Sequence, residues 1–495
     1  MNSINSRIQA KSESFKFREL LTSSLKEQYA RLAPGSEFLN LIESINDSRT
    51  FVICCAHQPV VLGGPLYWWY KILHAISLCK HFNRLLPEYN FLPVYYLGNE
   101  DHDFEEIRGI SIFNKNFSWD RNAEGAVGRM SADNIDKLLD EILTLFNNEP
   151  EAKSRLLIWK EMAGQSVDYT DFFLRFVHDI FGPLGLICLN PDNKAFKSEF
   201  RDIMLSEIEG QASNKIVNQT NIKLNQFGLV PQAHSREINL FYHSKASRSR
   251  IVSINHQKFH TADGIKEWSL ESLKEEIIQC PENFSPNVIL RPLFQELILP
   301  SVLFVGGGAE VNYWLQLKDL FDHFGLPYPV LVRRNSFVIF SSQILEKIKR
   351  LGLTPEFFLD HTDELIKKFM ESKSDISVHV SRISEQLFQI LDELCELSRK
   401  ELKSTFSGTL SEVNKIKASI DKLSDKINKD NKHEHQIEIA LINKIKEQLF
   451  PNNNLQERHV AGLTYYLKFG QDFLIKTSEV GENNISGFYL LYESS

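Results

Sequence analysis

Five short apolar runs, each cut off by polar or glycine-rich residues, set the rhythm of the first two thirds of the chain. FVICCA (51–56) ends in His57-Gln58-Pro59, and FLPVYYLG (91–98) ends in Asn99-Glu100-Asp101-His102-Asp103. GLICLN (185–190) leads to Pro191-Asp192, SVLFV (301–305) to Gly306-Gly307-Gly308, and PVLV (329–332) to Arg333-Arg334. Continuous runs without apolar–polar alternation describe strands buried on both faces, the habit of parallel sheets. Helical periodicity separates them, over 66–83, 169–181 and 311–324. Alternating β and α segments predict an α/β fold with a doubly wound parallel sheet, whose ligands lie beyond the carboxyl ends of the strands. All five polar endings then gather at one edge.

The pattern loosens over about 114–165 and 205–285, which read as connecting insertions. The second holds FYHSKASRSRIVSINHQKFHTADG, expected to form two strands around a basic turn. From 372 the texture changes. Ile383, Leu387, Ile390, Leu394 and Leu397 step by four and three, as do Val413, Ile416, Ile420, Leu423 and Ile427. Such heptad spacing predicts a coiled-coil arm. NKDNKHEH (428–435) reads as a polar turn, with Ile437–Phe450 returning as a second helix, so an antiparallel hairpin is expected. Its seam either pairs two copies of the chain into a homodimer or packs on its own core. The expected domains are a core over 1–371 with the two insertions, a coiled-coil domain over 372–454, and a segment over 455–495 that returns to the core.

Composition narrows the function classes. Of the 495 residues, 42% are hydrophobic and 24% charged, the balance of a globular protein. A net charge of -8 argues against general binding to nucleic acid or an anionic membrane, but leaves room for a basic pocket. No signal-type segment or long apolar span is apparent, so a cytoplasmic protein is expected. The six cysteines form no C-x-x-C pair, and Cys54 and Cys55 fall inside an apolar run as small buried hydrophobes.

Three stretches carry chemistry. HQPVVLGGPLYWWYK (57–71) is a strand ending, a paired-glycine loop and a helix start. That arrangement presents backbone N–H groups to an anion. Gly63 and Gly64 permit close approach, His57 can move a proton, and Gln58, Tyr67 and Lys71 can reach the same pocket. The plainer reading is a tight turn beside a core histidine. In GNEDHDFEEI, the residues Asn99, Glu100, Asp101, His102 and Asp103 follow a buried strand directly. One or two of them are expected to face an ammonium group or sugar hydroxyls, unless all are simply solvated. SPNVILRPLFQELILPSVLFVGGGAEVNYWLQL (285–317) combines Asn287, Arg291, Gln295, Gly306, Gly307 and Glu310 around a second strand–glycine–helix unit. Arg291 and Arg333 are anion-binding candidates through their planar forks. The competing reading of Arg291 is an ion pair with Glu296.

These blocks, with LQERHVAGLTYYLKFG (455–470), resemble the bacillithiol-biosynthesis cysteine-adding enzymes, the BshC family. The resemblance runs in order through most of the chain. It implies a Rossmann-like core with connecting insertions, a dimer-forming coiled coil, and addition of cysteine to the amine of glucosaminyl malate. Two positions depart from the expected pattern: Asn99 stands where a small residue is usual, and Gly306-Gly307-Gly308 where Gly-Gly-Pro is. The implied chemistry needs an activated carboxyl; the activating nucleotide is left open, with ATP or ADP as candidates, and no metal is assigned. His57, Asp101, His102 and Asp103 are the catalytic candidates. Two other classes are compatible with the residues alone. One is a metal-dependent hydrolase using His57 and the acidic run. The other is a non-catalytic coiled-coil scaffold.

Overall fold

The computed structural model describes residues 2–123, 125–244, 247–373, 376–401, 404–482 and 485–493. All five apolar runs become strands of one parallel sheet: β1 (Thr50–His57), β2 (Asn90–Leu97), β3 (Ile187–Leu189), β4 (Ser301–Gly306) and β5 (Val330–Arg333). Their order is β5-β4-β1-β2-β3. From β1 the chain winds outward through β2 and β3, then returns to the other side of β1 with β4 and β5. The order therefore reverses between β1 and β4, where the connecting helices diverge and open a crevice.

Helix α1 (Leu66–Leu85) follows β1, and α2 (Tyr169–Phe181) precedes β3. Helix α3 (Arg291–Ile298) precedes β4, and α4 (Gly308–Leu315) follows it. The periodicity over 311–324 resolves into α4 and a separate short helix, Lys318–His323. Buried residues occupy every side of α1, because helices Gly462–Phe469 and Gln471–Gly481 cover the face turned from the sheet. The close approach depends on Gly462, where a Cβ would stand 2.1 Å from the Trp69 ring.

The first insertion forms the hairpin Gly109–Ile112/Lys115–Ser118 and helices Ile135–Leu143 and Pro150–Gln165. The second adds an antiparallel sheet of Phe284–Pro286, Leu240–His243, Arg248–Ser253, Lys258–Thr261 and Glu267–Ser269.

Two compact units result: Met1–Phe337 with Glu457–Tyr489, and Val338–Gln456 with Leu490–Ser495. The division falls before the boundary at 371/372 read from the sequence. Helices Ser342–Leu351 and Thr362–Lys373 belong to the second unit, where Ile344, Ile348, Leu365 and Phe369 share a core with Ile442, Ile445 and Leu449.

Within that second unit, α5 (Ile376–Glu401) and α6 (Phe406–Glu434) form an antiparallel hairpin. Ser384 faces Ser424, Asp392 faces Lys417, and Ser398 faces Thr409. The two helices of the hairpin are thus α5 and α6, and 428–435 is not its turn. NKDNKHEH holds no glycine or proline, and its residues continue α6 to Glu434. The seam also differs from the expected one. The line against α6 is Ser384, Phe388, Leu391, Cys395 and Ser398, each one residue past the heptad stripe. Ile383, Leu387, Ile390, Leu394 and Leu397 remain 40–64% exposed. Among the described residues no helix is long and apolar enough to cross a membrane.

Candidate functional site

The carboxyl ends of β1, β2 and β4 open into a cavity of about 740 Å³ within the first unit. His57 and Gln58 leave β1 on a loop pinned from behind. The Tyr95 hydroxyl contacts the His57 carbonyl at 2.9 Å and that of Gln58 at 3.1 Å, while Tyr169 donates to the Pro59 carbonyl at 2.8 Å. Buried aromatics thus fix the backbone that carries the site. The Gln58 amide donates to Asp101 Oδ2 at 2.7 Å and Glu106 Oε2 at 2.9 Å, joining the loops after β1 and β2.

His57 Nδ1 lies 3.2 Å from the Gln58 carbonyl, which only accepts, so this nitrogen carries the proton and Nε2 keeps its lone pair. Burial, aided by the Lys71 ammonium, pushes the imidazole down to about 4, so it is neutral at neutral pH. Lys71 and Tyr67, one turn apart on α1, both reach the cavity. The buried Lys71 ammonium donates to the Ala56 carbonyl at 3.0 Å and sits 2.5 Å from Glu310 Oε2. Glu310 also accepts from the Gly307 amide at 2.7 Å. Burial would raise its carboxyl, but the Lys71 ammonium and the Gly307 amide hold it below the usual range.

Asp101 stays ionised: burial opposes its charge, yet His102, Arg248 and Gln58 hold it well below the ordinary carboxylate range. Arg248 Nη1 lies 3.6 Å from Asp101 and 3.1 Å from His102 Nδ1, with its guanidinium 3.8 Å from the Phe241 ring centre. Glu100 lines the cavity from the edge of a buried network. Lys197 contacts Glu100 at 2.5 Å and Asp192 at 2.8 Å, and Arg129 grips Asp192 through two bonds of 2.7 Å.

Seven cationic side chains line the cavity (Lys71, Arg236, Arg248, Arg250, Arg291, Arg334 and Arg458) against three acidic ones (Glu100, Asp101 and Glu310). An acidic protein therefore holds a basic cavity, suited to an anionic ligand. The ion pair of Arg291 with Glu296 does not form; Arg291 bonds to Gln295 and Tyr313 instead. Asn287 reaches the cavity, with its side-chain amide donating to Asn239.

Several expected residues stand elsewhere. Gly63 and Gly64, at φ +77° and +50°, do not line the cavity; a Cβ would meet Trp68 and Trp69 at the first and Val60 at the second. They shape the turn rather than cradle an anion. Asp103 caps the short helix Phe104–Ile107 by accepting from the Glu106 amide, outside the cavity. Asn99 is buried and donates to Thr170 and Asn190, so its size serves packing behind the site. Gln295 is buried behind Arg291, and Gly306 is the last residue of β4, outside the cavity lining. Arg333 points away; its neighbour Arg334 enters the cavity and pairs with Glu457 at 2.6 Å and 3.0 Å. Arg333 is the last residue of β5, whereas Arg334 lies past the strand's carboxyl end, at the edge where the cavity opens. Among the described residues no group of three or more His, Cys, Asp or Glu side chains converges as metal ligands.

The family model for the bacillithiol biosynthesis BshC N-terminal Rossmann-like domain matches residues 1–335, and that for its C-terminal coiled-coil domain matches 337–493. The chain belongs to the BshC family. It is 33% identical over 487 residues to a Flavobacterium psychrophilum protein named "Putative cysteine ligase BshC", covering 96% of this chain and 89% of that one. A Christiangramia forsetii protein of the same name is 32% identical, with 97% and 90% covered, and a Bacillus cytotoxicus one 26%, with 94% and 88% covered.

Part of this BshC chain's cavity is built by residues outside the three chemistry-bearing stretches or without a local signal within them. Arg236, Arg248 and Arg250 come from the second insertion, Arg458 from the returning segment, and Tyr313 from one turn past the glycines. The basic character of 241–264 is the local signal for Arg248 and Arg250, which stand on the strand Arg248–Ser253. Nothing in local spacing announces Arg236 or Arg458, because only the tertiary fold brings them to the sheet edge.

Proposed function

We propose that this cavity joins the carboxyl of L-cysteine to the amine of glucosaminyl malate, completing bacillithiol. A carboxylate and an ammonium do not condense at neutral pH unaided, so the carboxyl must be activated. ATP is the co-substrate: a carboxylate oxygen bonds to phosphorus as ADP or pyrophosphate leaves. The amine then attacks the carbonyl carbon, phosphate or AMP departs, and the amine proton passes to a base.

The observation that carries this reading is the charge layout at the switch point between β1 and β4. An ionised Asp101, oriented by Gln58, stands on the β2 side, where a cysteine ammonium pairs with it. Arg291, Arg236, Arg250 and Arg458 surround the rest of the opening and take carboxylate or phosphate oxygens. Neutral His57 offers Nε2 to the amine proton. The first turn of α4, at Gly308 and Ala309, directs backbone N–H groups at charge developing on the transferred group. Lys71 acts through Glu310, to which it is committed.

The exposed stripe Ile383–Leu387–Ile390–Leu394–Leu397 supports the further reading that two copies pair through the coiled coil into a homodimer. No membrane or nucleic acid enters this scheme, which runs in the cytoplasm.

Incubating the full chain with cysteine, glucosaminyl malate and ATP, followed by mass analysis, tests the reaction. The coupled thiol is expected; its formation without any nucleotide would contradict the activation step.

A further inference from the structure

Arg291 opens α3 with its guanidinium at the cavity wall. Nη2 donates to the Tyr313 hydroxyl at 2.8 Å and Nη1 to Gln295 Oε1 at 3.0 Å, with the Tyr96 ring centre 5.5 Å away. Burial pushes both phenols above their usual range, so every one of these partners is neutral.

Glu296 lies five residues along α3, too far round the helix to face Arg291. It meets Lys11 of the N-terminal helix Asn2–Ser14 at 3.4 Å, and the same ammonium donates to the Glu296 and Leu299 carbonyls at 2.6 Å and 3.0 Å. Gln295 stands between the two charges. Its Oε1 accepts from Arg291, and its Nε2 donates to Glu296 Oε1 at 3.0 Å. A guanidinium only donates and a carboxylate accepts, so the amide has one orientation here. A glutamate at 295 would instead face Arg291 one helical turn away and neutralise it.

We propose that Gln295 is a positioning residue that aims Arg291 while leaving its positive charge free for a substrate carboxylate. Lys11 completes the device by absorbing the charge of Glu296. The carboxylate is that of the malate group, an identity that rests on the proposed reaction.

The test is a double-mutant cycle read by titration calorimetry on the full chain, with L-malate as the probe. Gln295→Glu is expected to weaken malate binding by about ten-fold or more in the native background, and by less than about two-fold in Arg291→Gln. Equal weakening in both backgrounds, or none in either, overturns the proposal. If Gln295→Glu does not fold, Gln295→Met decides by the same comparison, because it removes the anchor without adding charge. A chain that binds malate with this pattern but yields no coupled thiol contradicts the proposed reaction and leaves the role of Gln295 standing.

Discussion

Gln58 holds Asp101 across the sheet edge, its amide 2.7 Å from Oδ2. The bond joins the ends of two neighbouring parallel strands and aims the second Asp101 oxygen, which accepts from the His102 amide at 2.7 Å. Two candidates from separate sequence blocks thus form one acidic corner in an otherwise basic cavity.

Replacing Asp101 with Asn removes the charge that would receive an ammonium and sets two amides against each other. The rate of product formation should fall by about 100-fold or more, equivalent to about 2.7 kcal/mol in the barrier, while the thermal midpoint moves by only a few degrees. Steady-state kinetics beside calorimetry check this. A rate within a few-fold of native removes Asp101 from the chemistry.

Acid should weaken the first unit before its carboxylates titrate. Burial lowers His57 to about 4, His74 to about 3 and His243 to about 4. In the unfolded chain each titrates near 6.5, so below that pH the unfolded state takes up protons that the folded state refuses. Stability is therefore complete above about pH 7 and falls as pH drops from 6.5 toward 4, by up to about 1.4 kcal/mol per pH unit for each histidine. All six tryptophans lie in this unit, so their fluorescence reports its unfolding. The urea midpoint should be lower at pH 5 than at pH 7, and His57→Gln should shrink the difference. Equal midpoints contradict the burial argument.

Two glycines offer opposite outcomes. Gly462→Ala drives a methyl into Trp69 and should cost about 1–3 kcal/mol or more. Gly164, in the last turn of helix Pro150–Gln165, has open space where a Cβ would go. Gly164→Ala should be neutral or stabilise by up to about 1 kcal/mol. Denaturation of both variants checks the pair, and a harmless Gly462→Ala would contradict the docking of the returning segment on α1.

The exposed stripe on α5 predicts a concentration-dependent dimer. Leu387→Glu with Leu394→Glu leaves the α5–α6 line intact, so the variant should stay helical yet sediment as a monomer. A native chain that sediments as a monomer at tens of micromolar would remove the pairing.

The five strands and the edge where they end were legible because continuous apolar runs allow few alternatives. The hairpin register was not. Ser384 and Ser398 sit in the α5–α6 line while the leucine stripe beside them faces outward, and heptad spacing alone does not say which of two adjacent stripes meets which partner. In the cavity, His57, Gln58, Asp101 and Arg291 follow strands or start helices, where sequence position fixes direction. Gly63 and Gly64 misled because a positive-φ turn and an anion cradle share one local signature; the packing of Trp68 and Trp69 separates them. Arg334 stands beside the expected Arg333, one residue past the end of β5, and only the fold shows which of the two enters the cavity.

The most direct test of the central claim is product formation by the native full chain and by His57→Ala and Arg291→Gln, each confirmed folded. With cysteine, glucosaminyl malate and ATP, the native chain should yield the coupled thiol at a rate that both substitutions cut by about 100-fold or more. Undiminished product from both variants would place the reaction outside this cavity and contradict the account.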